Sequence, residues 1–452
     1  MTVRLTATIA LIAALLTGDA ALPSKAAAQE AAQPPGTLLK FVILSRHGVR
    51  SPIPKKSELE SWTKLTWPTW SCPTKDDPKR ECQPGELTPR GAQLAGQMGK
   101  YYGKYLSSLF PGDQCPEAGD VFFWADVDER TKDTGLALLR GFRASCDPTK
   151  YFHTLVPQDR IFRADLPDTG GRCQFDPARA EREILARAGG SLSHVVTSLQ
   201  RELDIAQHWL QCCRESLCQT AWTKTCRWSP PPQNACTLTS HLPSCVVATS
   251  TKAQTGGSLR VGSTFAEILL LEYANFPDKD PGWGIPRADM ISAFRVHTTV
   301  FDLEQRTPYV ATLQGSLLLK KILLALKNED DSREGTAPAG AKFVAYVGHD
   351  TNIANLGGML DLIWHQPPDY QPNQMPPAGA LTFEVRETST GIPNLYVAYV
   401  AQSLDTLRGK EDRTLRTAVS VPGCSTTEPG FPCPLDRFEM LVNQKLDPNC
   451  AQ

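Results

Sequence analysis

Arg46-His47-Gly48-Val49-Arg50 sets one imidazole between two guanidiniums, at the end of a largely apolar run, Leu38–Leu44. Arginine is the side chain best shaped to hold a phosphate in a planar fork. A histidine caught between two cations has its proton affinity lowered, which favours the neutral, nucleophilic ring. The combination suits phosphoryl transfer in which His47 attacks phosphorus. A strand followed by a solvated basic turn, with Gly48 present only for its backbone freedom, would give the same letters. The rest of the chain has to decide between the two.

Two further apolar runs end in charge. Val121–Ala125 (VFFWA) leads into Asp126-Val127-Asp128-Glu129-Arg130-Thr131, and Lys342–Val347 (KFVAYV) leads into Gly348-His349-Asp350-Thr351-Asn352. Apolar residues at helical spacing follow each turn: Leu136, Leu139 and Phe142 in one case, Ile353, Leu356 and Leu360 in the other. Ala380–Val385 and Leu395–Val400 supply two more strands. Strands interleaved with helices predict an α/β fold, a doubly wound mixed sheet flanked by helices. In such sheets ligands bind beyond the carboxyl ends of the strands, at a topological switch point. Three strand ends would then gather Arg46, His47, Arg50, Arg130, His349 and Asp350. Each residue alone has a plainer use. Arg130 could pair with Asp126, Asp128 or Glu129 in a surface turn, Asp350 could only cap a helix, and His349 could be a satisfied core histidine.

The remaining segments position this set. Thr88-Pro89 is an N-cap followed by proline at the first helical position, and Leu94, Met98, Tyr101, Tyr105 and Leu109 continue as an amphipathic helix. Between Lys55 and Leu87 the chain is polar and rich in Trp and Pro, with Cys72 and Cys82 close enough to staple a surface loop. From about Pro157 to Pro286 helical patterns, Ala180–Leu210 and Ser263–Tyr273, flank a Cys-, Pro- and Ser/Thr-rich stretch from Cys212 to Gly257. Thr307–Lys327 reads as another amphipathic helix and Asn328–Gly340 as an exposed loop. The expected organisation is a secretory signal at 1–28, an α/β domain in two parts at 37–156 and 298–452, and a mainly helical domain inserted at 157–297.

Composition excludes some partners. The 452 residues are 41% hydrophobic and 21% charged with a formal net charge of −1, which gives no electrostatic case for nucleic acid or an anionic membrane. Met1–Arg4, the apolar run Leu5–Leu16 and Ala26-Ala27-Ala28 read as the three parts of an export signal. No later segment is expected to be long and apolar enough to span a bilayer. Fourteen cysteines after an export signal read as disulfides in an oxidising compartment. A zinc site is the weaker reading, because Cys212-Cys213, Cys218 and Cys226 lack paired C-x₂-C spacing.

The string RHGVRSP resembles the RHGxRxP signature of the histidine acid phosphatases, branch 2 of the histidine phosphatase superfamily, and Gly348-His349-Asp350 resembles their later HD element. Five fixed positions at roughly 5% usage each occur by chance in a chain this long on the order of once in ten thousand. LTPRG at Leu87–Gly91, ADVDERT around Arg130 and HDTNIANLGG from His349 extend the resemblance over most of the mature chain. It is most similar to the bacterial periplasmic phytases and glucose-1-phosphatases. The resemblance implies that His47 forms a phosphohistidine, that Arg46, Arg50, Arg130 and His349 hold the phosphate, and that Asp350 protonates the leaving oxygen. A carboxyl can serve as that acid if it stays protonated, which predicts an acidic optimum, and the cationic side chains leave no metal or cofactor required; the expected protein is a monomer acting on small phosphate monoesters, most of all phytate.

Within that family Glu267 in FAEILLLEY, ahead of Pro281–Gly284 (PGWG), resembles a pocket-facing acid, with a helix-surface carboxylate as the alternative. Lys55 lies near a phytate-gripping lysine position, but Ile53-Pro54 occupy the nearest slots. A sugar-phosphate or broad-specificity acid phosphatase is the second reading of the function, and a catalytically silent phospholigand-binding relative the third. The family pattern also implies the pairs Cys115–Cys146, Cys173–Cys450 and Cys424–Cys433, short spacing suggests Cys72–Cys82, and the six cysteines from Cys212 to Cys245 stay open.

Overall fold

The computed structural model describes residues 33–155, 157–163, 171–214, 236–241, 244–388 and 391–452. The expected signal segment, Cys218 and Cys226 lie outside the described residues.

The apolar runs form strands because alternate side chains can be buried on opposite faces of one sheet. The strands of this sheet are β1 (Thr37–Arg46), β2 (Val121–Ala125), β3 (Phe152–Thr154), β4 (Phe343–Gly348), β5 (Ala380–Glu387), β6 (Pro393–Gln402), β7 (Thr414–Val419) and β8 (Cys433–Pro434), and Val246–Ala248 and Ala253–Thr255 pair separately. The order in the sheet is β8-β6-β5-β1-β4-β2-β3, with β7 also on β6. The pairs β1/β4, β4/β2 and β2/β3 are parallel, while β5 runs antiparallel to β1 and β6 antiparallel to β5. The sheet is therefore mixed, as the sequence predicts.

Period-two alternation sorts the core. Phe41, Ile43, Phe123, Ala345 and Val347 face the helices α1 (Pro89–Tyr105) and α2 (Glu129–Phe142). Val42, Leu44, Phe122, Val344 and Tyr346 face α3 (Gly257–Asn275), α4 (Arg287–Gln305), α5 (Pro308–Lys327) and α6 (Asp350–Met359). Thr88 caps α1 by accepting the Gly91 N–H, with Pro89 in the first turn, as predicted.

Three local readings change. The pattern over Ala180–Leu210 is not one helix: it breaks into Pro177–Arg187, Leu192–Ser198 and Gln200–Leu210, and the first break falls at Gly189-Gly190, both left-handed. α5 does reach the length and hydropathy of a bilayer span, against the expectation that no segment would. Its long apolar surface is instead core, with Val310, Leu318, Leu319, Ile322 and Leu326 buried inside the fold. Gly48 is not needed for backbone freedom. A Cβ there would come within 2.9 Å of the Gly91 carbonyl oxygen, and one on Gly91 within 2.1 Å of the Val49 carbonyl oxygen, so the two glycines let α1 press onto the signature loop. That contact also explains the final glycine of LTPRG.

The disulfides Cys72–Cys82, Cys115–Cys146, Cys173–Cys450 and Cys424–Cys433 are formed, and Cys212 pairs with Cys213.

Candidate active site

Arg46 at the end of β1 lies opposite Gly348 at the end of β4, and Ala125 at the end of β2 lies opposite Val347. Three adjacent parallel strands thus stop at one level, and the residues that follow them emerge side by side. The His47 N–H donates to the Gly348 carbonyl at 2.9 Å and its own carbonyl accepts the Ala378 N–H at 3.0 Å, which fixes the ring from both backbone sides. Thr134 on α2 accepts the Gly48 N–H at 2.8 Å and donates to the Arg130 carbonyl, joining the signature loop to the turn that bears Arg130.

His47 Nδ1 lies 2.8 Å from the Gly48 carbonyl oxygen. A carbonyl only accepts, so Nδ1 carries the proton and the lone pair sits on Nε2. Burial, then the charges of Arg46, Arg130 and Arg50 and the His349 ring, hold the imidazole well below its usual pKa. Burial and the surrounding cations thus favour the neutral ring, as the two flanking arginines suggested.

Arg46 is fully buried. Its Nη1 donates to the Met375 carbonyl, and its Nη2 contacts both Glu267 and Asp350, the latter at 2.9 Å. Arg50 Nη2 stands 3.5 Å from the same Glu267 oxygen. The Nε–H groups of Arg46, Arg50 and Arg130 are buried without a partner among the described residues. Buried donors left unpaired are costly, and an anion seated among them would relieve that cost. Arg130 also pairs with Asp128 at 2.6 Å, the contact a plain surface turn would have given, yet its Nη2 is 3.5 Å from His349 Nδ1.

His349 is aimed by Asp126, a residue that sequence reasoning did not single out: His349 Nε2 lies 2.7 Å from the fully buried Asp126 Oδ2. Nothing in the run ADVDERT ranks Asp126 above Asp128, because both are one short turn from the strand end. Asp126, Asp128 and His349 bring three ligand-type atoms within 4.8 Å of one another. A cation there would have to break the Asp126–His349 hydrogen bond and compete with Arg130 and Arg163, the latter 3.6 Å from Asp128. The trio has the partners of an orienting network.

Asp350 occupies the first turn of α6, with His349 as the N-cap. One of its oxygens accepts the Thr351 N–H at 2.9 Å and the other faces Arg46. Burial pushes its carboxyl up, but Arg46, His297, Arg50 and His349 outweigh burial and hold it below the ordinary carboxylate value. Glu267 belongs to the same cluster and is no helix-surface carboxylate, being 5% exposed. Burial pushes it up and Arg46, His297 and Arg50 pull it further down, so it stays ionised. His297 on α4 backs it, with Nε2 3.7 Å from Glu267 and Nδ1 donating to the Ser263 carbonyl at 3.2 Å. Lys55 does not join this cluster. It is exposed at the N-cap of the short helix Lys56–Trp62, and its ammonium makes no hydrogen bond or ion pair among the described residues.

A model of the histidine phosphatase superfamily (branch 2) matches residues 37–402, a span that holds all three strand ends. The chain belongs to that family. It is 33% identical over 446 residues to the phytase AppA of Escherichia coli (strain K12), covering 95% of this chain and 96% of that one. It is 27% identical over 449 residues to a glucose-1-phosphatase of Salmonella typhimurium (strain LT2), covering 96% and 98%. Among solved structures it resembles the Hafnia alvei phytase in complex with myo-inositol hexakis sulphate, with a TM-score of 0.78, 32% identity and coverage of 92% of this chain and 99% of that one. As a histidine acid phosphatase the chain is a phosphoric monoester hydrolase of the phytase-like kind.

Proposed function

We propose that this chain is an exported, monomeric acid phosphatase that removes phosphate from phytate through a phosphohistidine on His47. The observation that carries the mechanism is the neutral His47 ring, proton on Nδ1 and lone pair on Nε2, set among buried arginine Nε–H groups that have no partner among the described residues. His47 Nε2 attacks phosphorus, the P–O ester bond breaks, and the leaving oxygen takes the bonding pair together with a proton from Asp350. Water then attacks phosphorus and gives its proton to the Asp350 carboxylate as the new P–O bond forms, and the P–N bond breaks with its pair returning to His47 Nε2. Arg46, Arg50 and Arg130, with His349, meet the charge on the transferring oxygens. Guanidiniums do here what a magnesium pair does in other phosphoryl-transfer sites, so turnover is expected to survive a chelator.

Phytate as substrate is supported by the similarity to the E. coli and Hafnia phytases and by the sulphated inositol held by the latter. The Salmonella glucose-1-phosphatase, and the position of Lys55 away from the cluster, favour a sugar phosphate as the second reading. Export is supported by the five disulfides among the described residues. The test is a substrate panel from acidic to neutral pH with inositol-phosphate products resolved. Higher kcat/KM on phytate than on glucose 1-phosphate supports the proposal, and the reverse order overturns the substrate.

A further inference from the structure

The Trp-rich stretch after the signature is not a free surface loop. Cys72 and Cys82 are bonded across a small hairpin, closed by Cys72 N–H to the Arg80 carbonyl and Cys82 N–H to the Trp70 carbonyl, each 3.0 Å. The residues leaving this hairpin lie along the signature loop. Ser51 N–H donates to Glu86 at 2.9 Å, Gly85 N–H to Pro52 at 3.2 Å and Thr88 N–H to Val49 at 3.0 Å, while Arg50 and Leu87 form a β-bridge. The residues entering the hairpin lie against the turn that follows α3. Trp283 Nε1 donates to the Thr66 carbonyl at 2.9 Å, Trp67 meets Trp283 edge-on at 5.0 Å, and Trp70 lies 5.4 Å from Phe276. One stapled segment therefore touches the loop that bears Arg50 on one side and the end of the helix that bears Glu267 on the other.

Glu272 sits under this second contact. It is 1% exposed, and one oxygen accepts the N–H of Gly282, whose left-handed φ of +59° forms the PGWG turn. The other oxygen has no hydrogen-bond partner among the described residues, although the Trp70 indole N–H lies close by. The charged group acting on it is Lys279, whose ammonium is drawn over the Phe276 ring at 4.2 Å. Arg408 packs on the same corner, where its Nη1 donates to the carbonyls of Tyr273, Phe276 and Lys279.

We propose that Thr66–Cys82 is a strap that positions Arg50 against Glu267, and that the protonated carboxyl of Glu272 is the latch that keeps it closed. The kinetic consequence rests on the phosphatase reading above; the latch does not. Burial pushes Glu272 up to about 7, against the pull of the Gly282 N–H, Lys279 and Trp70. Released into water it would titrate at about 4.3. Between those two values opening the strap releases a proton, so the opening equilibrium rises about tenfold per pH unit, and it flattens outside them.

The test compares the full chain with Glu272→Gln, which keeps shape and hydrogen bonding but cannot ionise. Hydrogen exchange at the Gly282 amide, taken as the wild-type to E272Q rate ratio at each pH, cancels the intrinsic pH dependence. The ratio is expected to climb about tenfold per unit from pH 5 to pH 7. A flat ratio overturns the latch. For the strap, Trp283→Leu is expected to raise KM for p-nitrophenyl phosphate several-fold at pH 5 with kcat within about twofold. Trp283→Phe, which keeps a ring against Trp67, is expected to restore KM. An unchanged KM in Trp283→Leu overturns the positioning role. A wild type that hydrolyses no phosphate monoester refutes the phosphatase reading instead, and the exchange ratio still decides the latch.

Discussion

Asp350→Asn separates the acid from the rest of the machinery. In the empty site the carboxyl is held below its ordinary value, with Arg46 2.9 Å away as the largest opposing charge to burial. At pH 5 the free enzyme therefore carries Asp350 as a carboxylate, and the catalytic proton has to arrive with the substrate. A phosphate monoester has its second pKa near 6, so below that value it enters as a monoanion bearing one proton. On the proposed mechanism the dianion, seated among Arg46, Arg50 and Arg130, cancels the field that kept Asp350 ionised, and the proton is expected to move to the carboxyl. Two results follow for the wild type. The value of kcat/KM falls as pH rises through about 6, where substrate no longer brings the proton. It shows no acid limb near 6.5, because His47 is already neutral well below that value.

General acid catalysis contributes about 10²–10⁴-fold, or roughly 3–5 kcal/mol of barrier. Asp350→Asn is expected to lose about that much kcat/KM, which reports only the steps up to departure of the leaving group, on an alkyl phosphate whose alkoxide needs the proton. On p-nitrophenyl phosphate, whose anion leaves unaided, the loss is expected to stay within about tenfold. Steady-state kcat/KM on both substrates at pH 5, with circular dichroism to verify folding, reads the difference. An equal loss on the two substrates refutes the acid role.

Asp126→Asn tests the orienting contact at His349. The amide can turn its NH₂ toward the ring, so His349 loses its buried acceptor, and turnover is expected to fall about 10–100-fold with the melting temperature lowered by only a few degrees. Wild-type kcat in that variant would remove Asp126 from the account. Gly91→Ala puts a methyl group 2.1 Å from the Val49 carbonyl oxygen, a backbone atom that cannot rotate aside. It is expected to destabilise the fold by about 1–3 kcal/mol in urea unfolding and to raise KM by shifting the loop that carries Arg50. An unchanged midpoint would show that α1 can slide away from the signature.

The gathering of Arg46, His47, Arg50, Arg130, His349 and Asp350 was legible because their positions are set by strand ends, and strand ends are written as apolar runs that stop abruptly in charge. Leu38–Leu44, VFFWA and KFVAYV each kept their place and their parallel neighbours. Glu267 was less legible, although a signal was present. FAEILLLEY is apolar on every side, so any carboxylate on it must be buried and paired, and the partners proved to be Arg46 and Arg50. The same reasoning would have marked Glu272. Asp126 could not be chosen from three acidic neighbours, because the choice depends on where His349 arrives from a strand more than 200 residues away in sequence. The role of Gly48 was hidden for a similar reason: its close contact is with Gly91, on a helix whose approach only the packed fold determines.

On the proposed mechanism phosphate passes through His47. Rapid acid-free quenching of the wild-type chain with ³²P-labelled substrate, followed by peptide mapping, reads it directly. An acid-labile, base-stable label is expected on the peptide that contains His47, and neither label nor turnover in His47→Ala. Label on another residue, or turnover in His47→Ala near the wild-type rate, would contradict it.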